Sequence, residues 1–87
     1  MAVVQFRNQA ANIEVNKSMP TPKKQTLEAW FKDIRKIIPQ VPNPKDTDWQ
    51  IHHQHATIQW ITFEMQNSIG ERCVVIVDRT KSQFGGR

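Results

Sequence analysis

Two apolar segments separated by a turn constrain this chain more than any other feature. The first reads Thr57-Ile-Gln-Trp-Ile-Thr-Phe-Glu-Met65 and the second Arg72-Cys-Val-Val-Ile-Val-Asp78, both rich in β-branched and aromatic residues. Between them Asn67, Ser68 and Gly70 tolerate turn dihedrals, so the stretch from Thr57 to Asp78 predicts a β-hairpin with a longer loop. Alternation places Thr57, Gln59, Ile61, Phe63 and Met65 on one face of the first arm and Ile58, Trp60, Thr62 and Glu64 on the other. In the second arm Cys73, Val75 and Val77 oppose Val74 and Ile76. Both faces carry large apolar groups, so both call for cover.

The clearest helix lies upstream. Leu27, Trp30, Phe31, Ile34, Ile37 and Ile38 form one stripe at a 3.6-residue period, with Lys24, Glu28, Lys32 and Arg35 opposite. Thr21 and Pro22 read as cap and first turn, and Pro39 as the stop, which predicts a helix from Pro22 to Ile38. Pro42 and Pro44 then predict an extended connector from Gln40 to Lys45. The segment from Trp49 to His55 reads as a strand running through a bulge near Ala56 into the hairpin. The alternative is a helix opened by the capping box Thr47-Asp-Trp-Gln50 and stopped at Gly70. Helical phase would split its apolar residues between two sides, which disfavours it. At the amino end, Ala2–Phe6 and Asn12–Val15 predict two short strands, or one strand and an extended arm, around a turn at Asn8–Ala11.

These pieces predict an α+β fold: a small antiparallel sheet of three to five strands with one amphipathic helix packed on one face. The expected organisation is a single domain over residues 1–78 and a basic, flexible tail over residues 79–87. One helix covers one sheet face. The face carrying Ile58, Trp60, Thr62, Val74 and Ile76 is therefore expected to be an interface, to a second copy in a homodimer or to another protein, unless the N-terminal arm folds over it.

Charge adds a second expectation. The chain carries a net charge of +4, unevenly placed: residues 17–36 hold six Lys or Arg against two Asp or Glu, whereas residues 48–78 hold one against four. A basic surface with aromatic platforms suits single-stranded nucleic acid or RNA. Trp49 and Trp60 are the candidate stacking residues, and Lys23, Lys24, Lys32, Arg35, Lys36, Arg79, Lys81 and Arg87 the candidate phosphate contacts. The helix's basic side and the free sheet face would nevertheless look in different directions, so protein binding stands as the alternative.

Catalysis finds no constellation in these residues. The single cysteine, Cys73, heads an apolar strand, and the three glycines, Gly70, Gly85 and Gly86, make no phosphate loop. Asp46 and Asp48 sit in a Pro-rich connector where turn and capping chemistry is the simpler role. His53 and His55 share a strand face and are the candidate metal ligands, with Asp46 or Asp48 as possible further ones, but a solvated strand face is the commoner reason for such histidines and no cysteine partner is near in sequence. The expectation is a non-catalytic, cofactor-free binding module. A lone cysteine, no leader-like amino end and no apolar run long enough for a membrane span place it in the cytoplasm.

Overall fold

The computed structural model describes residues 1–21 and 26–80. The elements run β1 (Ala2–Asn8), β2 (Ile13–Met19), α1 (Leu27–Ile37), β3 (Gln50–Ala56), β4 (Trp60–Gln66) and β5 (Arg72–Asp78). The strands form one five-stranded sheet in the order β2-β1-β5-β4-β3, with every pairing antiparallel. This is the expected α+β fold, with the N-terminal arm as a hairpin inside the sheet rather than a cover over it.

Register fixes which residues face the helix. Phe6, Val75 and Phe63 lie side by side across β1, β5 and β4, as do Val4, Val77 and Ile61. All six are fully buried, together with Met65 and the helix residue Ile34. Phe31 meets Phe63 edge to face with 5.2 Å between ring centroids, the arrangement favoured by aromatic quadrupoles. Trp30 and Ile38 complete the helix's buried stripe, while Leu27 and Ile37 pack at its margin.

The helix begins later than its sequence suggests. Thr26, not Thr21, is the cap: its backbone is extended and its Oγ1 accepts from the Ala29 amide at 3.1 Å. Of the expected first turn, Pro22, Lys23, Lys24 and Gln25 lie outside the described residues. Glu28 in the first turn, and Arg35 and Lys36 in the last, have the signs that the helix dipole favours.

The connector after Pro39 is also folded rather than extended. Val41 is fully buried, its amide bonding the Ile38 carbonyl at 3.1 Å and its carbonyl accepting from Arg35 Nε at 2.8 Å. Asn43 then organises a turn: its carbonyl accepts from the amides of Asp46 and Thr47, each at 3.0 Å, and its Oδ1 from the Lys45 amide at 3.0 Å. Proline fixes φ but leaves its neighbours' side chains free to build such a turn.

Two further details shift. The bulge of β3 falls between Ile51 and His53 instead of near Ala56. The β3–β4 turn occupies Thr57–Gln59, closed by the Thr57 amide on the Trp60 carbonyl at 2.7 Å and the Trp60 amide on Thr57 Oγ1 at 2.9 Å. The β4–β5 loop keeps its expected turn residues. Asn67 Oδ1 accepts from the amides of Ile69 and Glu71, and Gly70 adopts φ of 88°, a conformation that L side chains rarely adopt.

Asp48 ties the start of β3 to this loop, accepting from Ser68 Oγ at 2.6 Å and from the Ser68 amide at 3.2 Å. The Ser68 hydroxyl, and then its amide, hold the Asp48 carboxyl below the usual carboxylate range. A carboxyl whose pKa is depressed on folding stabilises the fold above its unfolded value, and loses that contribution as pH falls through the folded value. Ser68→Ala is expected to move the Asp48 titration midpoint upward in carboxyl-detected NMR; an unmoved midpoint would remove Ser68 as the cause. Replacing the cap, Thr26→Ala, is expected to lower stability by about 1 kcal/mol in urea unfolding. Thr21→Ala should stay within about 0.5 kcal/mol of the parent, and the reverse ranking would return the cap to Thr21.

Candidate binding surfaces

Two surfaces stand out among the described residues once the helix has docked. The first is the sheet face turned away from it. Trp60 opposite Asp78, Thr62 opposite Ile76, and Glu64 opposite Val74 lie on that face, joined across β1 by Gln5 and Arg7. Val74, Ile76 and Thr62 are half-buried and Trp60 is 44% exposed. Ile58 is not on this face: it sits in the β3–β4 turn and is 91% exposed. Arg7 and Arg72 supply positive charge there, Glu14 and Glu64 negative charge. Arg7 Nε lies 3.5 Å from Glu14, which also accepts from Gln5 Nε2 at 3.1 Å. An open hollow of about 580 Å³ at one end of the face is lined by Arg7, Glu14, His52, Glu64 and Arg72.

The second surface is a groove of about 620 Å³ between α1 and β3. Leu27, Phe31 and Ile51 give it an apolar floor, and Lys32, Arg35, Lys36 and Lys45 line it. It forms because α1 packs on β4 through Phe31 and leaves the helix side of β3 open, with Gln54 and Ala56 exposed. Lys45 was not legible as a member. Only the turn at Asn43, anchored through Val41 and Arg35, returns the connector to the helix.

The expected nucleic-acid residues are thereby separated. Lys32, Arg35 and Lys36 gather at the groove, whereas Trp60 lies on the opposite sheet face. Trp49 is half-buried against the core. Arg79 belongs to neither surface: its guanidinium stacks over Trp30 at 5.8 Å and its Nη1 donates to the Thr57 carbonyl at 2.8 Å. The amide of Arg79 also bonds the Gln59 carbonyl at 2.7 Å, so the tail begins as a pinned segment. Lys23, Lys24, Lys81 and Arg87 lie outside the described residues.

His53 and His55 stand parallel on the exposed side of β3, with ring centroids 6.3 Å apart. Among the described residues no group of three or more His, Cys, Asp or Glu is placed to hold a metal ion. Asp46 and Asp48 act in turns, Asp46 Oδ2 accepting from Asn43 Nδ2 at 3.1 Å and Asp48 accepting from Ser68. No described helix is long and apolar enough to cross a membrane.

Cys73 is buried in the core, and burial pushes its thiol up to about 11. At pH 8 the thiolate is then on the order of one part in a thousand. Iodoacetamide is expected to leave the native protein unmodified at this pH and to alkylate Cys73 readily in urea. Rapid native alkylation would mean that the strand exposes its thiol. The chain matches no known protein family, no curated protein and no solved structure at a significant level.

Proposed function

We propose that this chain is a non-catalytic binding module that works as a homodimer, the two copies meeting through the sheet face opposite the helix. The observation that carries the reading is a sheet face over which no described element lies, with Trp60, Val74 and Ile76 partly exposed among charges of both signs, Arg7, Arg72, Glu14 and Glu64. A twofold interface must be complementary to itself. Asp78 on this face is buried; the charges around it are of both signs, Arg7 and Arg72 with Glu14 and Glu64, so an arginine of one copy can meet a glutamate of the other, whereas a face of one sign would repel its own image.

Size supports a weak association. Five strands of seven residues span a flat footprint of about 550 Å², from a spacing of about 4.8 Å between strands and a rise of about 3.4 Å per residue. Pairing two such faces buries on the order of 1,100 Å², at the low end for specific complexes. A dimer that dissociates in the micromolar range fits that area.

Single-stranded nucleic acid is the weaker reading. It needs stacking rings and cations on one surface, and Trp60 and the helix cations lie on opposite sides of the sheet. The burial of the only cysteine fits the reducing cytoplasm as the proposed location.

Sedimentation velocity from about 1 to about 100 µM is expected to show a concentration-dependent dimer. Ile76→Asp should shift it to monomer with an unchanged circular dichroism spectrum, and Lys32→Glu should leave it dimeric. A parent protein that stays monomeric throughout would overturn the reading, as would an Ile76→Asp variant that still dimerises.

A further inference from the structure

The groove between α1 and β3 is independent of the proposed dimer face, and its chemistry is different. Four cations, Lys32, Arg35, Lys36 and Lys45, line it against one carboxylate, Glu28. Beneath them the floor is apolar, and beside them runs an edge strand, because β3 pairs only with β4. We propose that this groove binds an extended acidic segment of a partner protein, which adds to the sheet as a sixth strand along β3.

Edge, register and charge each support this occupant. The outer side of an edge strand presents backbone amide and carbonyl groups that another extended chain can satisfy. The bulge between Ile51 and His53 interrupts the edge near its start, but His53 to Ala56 follow in regular register. The exposed Gln54 lies opposite Phe63 and the exposed Ala56 opposite Ile61, and Phe63 and Ile61 are buried on the helix side. Alternate side chains of an added strand would therefore turn under α1, towards Leu27 and Phe31.

Charge then selects among extended chains. Arg35 is held by its Nε bond to the Val41 carbonyl at 2.8 Å, which aims the rest of the guanidinium. The exposed Lys32 and Lys45 flank the opening, and Lys36, 3.6 Å from Asp33, can be shared with an incoming carboxylate. Segments carrying carboxylates between branched apolar residues match both the rim and the floor. A nucleic-acid strand matches the rim only: Phe31 is 8% exposed, which leaves little ring surface for a base to stack on. Beside the other sheet edge, β2, the hollow sets Arg7 and Arg72 against Glu14 and Glu64, so it lacks this excess of cations.

The test is amide NMR on the full chain at low salt, titrated with an end-blocked peptide of alternating aspartate and valine. A peptide with lysine in place of aspartate, and a mixed-sequence single-stranded oligonucleotide, serve as comparisons. The expected result is a shift of the His53–Ala56 amides and of α1 with the acidic peptide alone, together with slowed hydrogen exchange along β3. The double variant Lys32→Glu, Lys45→Glu should weaken binding about tenfold or more, with its dispersed spectrum intact. Ile76→Asp should leave the titration unchanged, so failure of this site and failure of the dimer are separately visible. An absent response overturns the proposal. So do shifts confined to β2 or to the open face, an equal response to the lysine peptide, or an oligonucleotide that shifts the same groove at lower concentration.

Discussion

The edge-to-face contact between Phe31 and Phe63, 5.2 Å between centroids, marks the constraint on which the rest depends: one helix serves a five-stranded sheet. The eleven residues of α1 make a rod about 16 Å long and about 10 Å wide. The sheet it lies on is about 24 Å across. Such a rod buries the middle of one face and cannot reach both edges. The groove at β3 and the opposite face, over which no described element lies, are thus two consequences of the same shortage of cover.

That shortage also shapes the core. The large fully buried side chains alternate along β1, β4 and β5, the three central strands, whereas β3 contributes only the half-buried Ile51 at its margin. β3 is held instead by its ladder to β4 and by Asp48 on Ser68. A strand retained by hydrogen bonds, with little apolar burial of its own, is the element most able to accept further pairing. Proteins usually blunt such an edge, and the bulge at its start does so in part.

Legibility in the sequence followed the range of the interactions. Alternation in Ile61, Phe63, Met65 and in Cys73, Val75, Val77 identified the core face, since period two depends only on the strand being a strand. The helical stripe from Leu27 to Ile38 was equally plain. The cap was missed because Thr21-Pro22 is the stronger local signal, although Thr26 has the same chemistry one residue before Leu27. Thr57 and Ile58 read as strand through their β-branching, yet the Thr57 hydroxyl closes a turn on Trp60 and leaves Ile58 in solvent. Membership of the groove was illegible for another reason. Lys45 joins Lys32 only through the Arg35–Val41 bond and the Asn43 turn, contacts that no periodicity encodes.

The uneven charge read from the sequence takes on a spatial meaning in the fold. The basic stretch up to Lys36 supplies three of the four groove cations, and its helix docks on the side of the sheet away from Trp60. The more acidic stretch beyond Asp48 contributes Glu64 and the buried Asp78 to the opposite face, where Arg7 and Arg72 stand among them and Glu14. The two surfaces therefore differ in what salt does to them. Contacts at the cationic groove weaken steeply as screening increases, while a face whose centre is apolar loses only the part carried by its arginine–glutamate pairs. A chain that paired through the one and captured an acidic strand through the other, as proposed, would lose its ligand at ionic strengths that weaken its self-association less. The single helix makes that separation possible by standing between its own cations and the face it leaves bare.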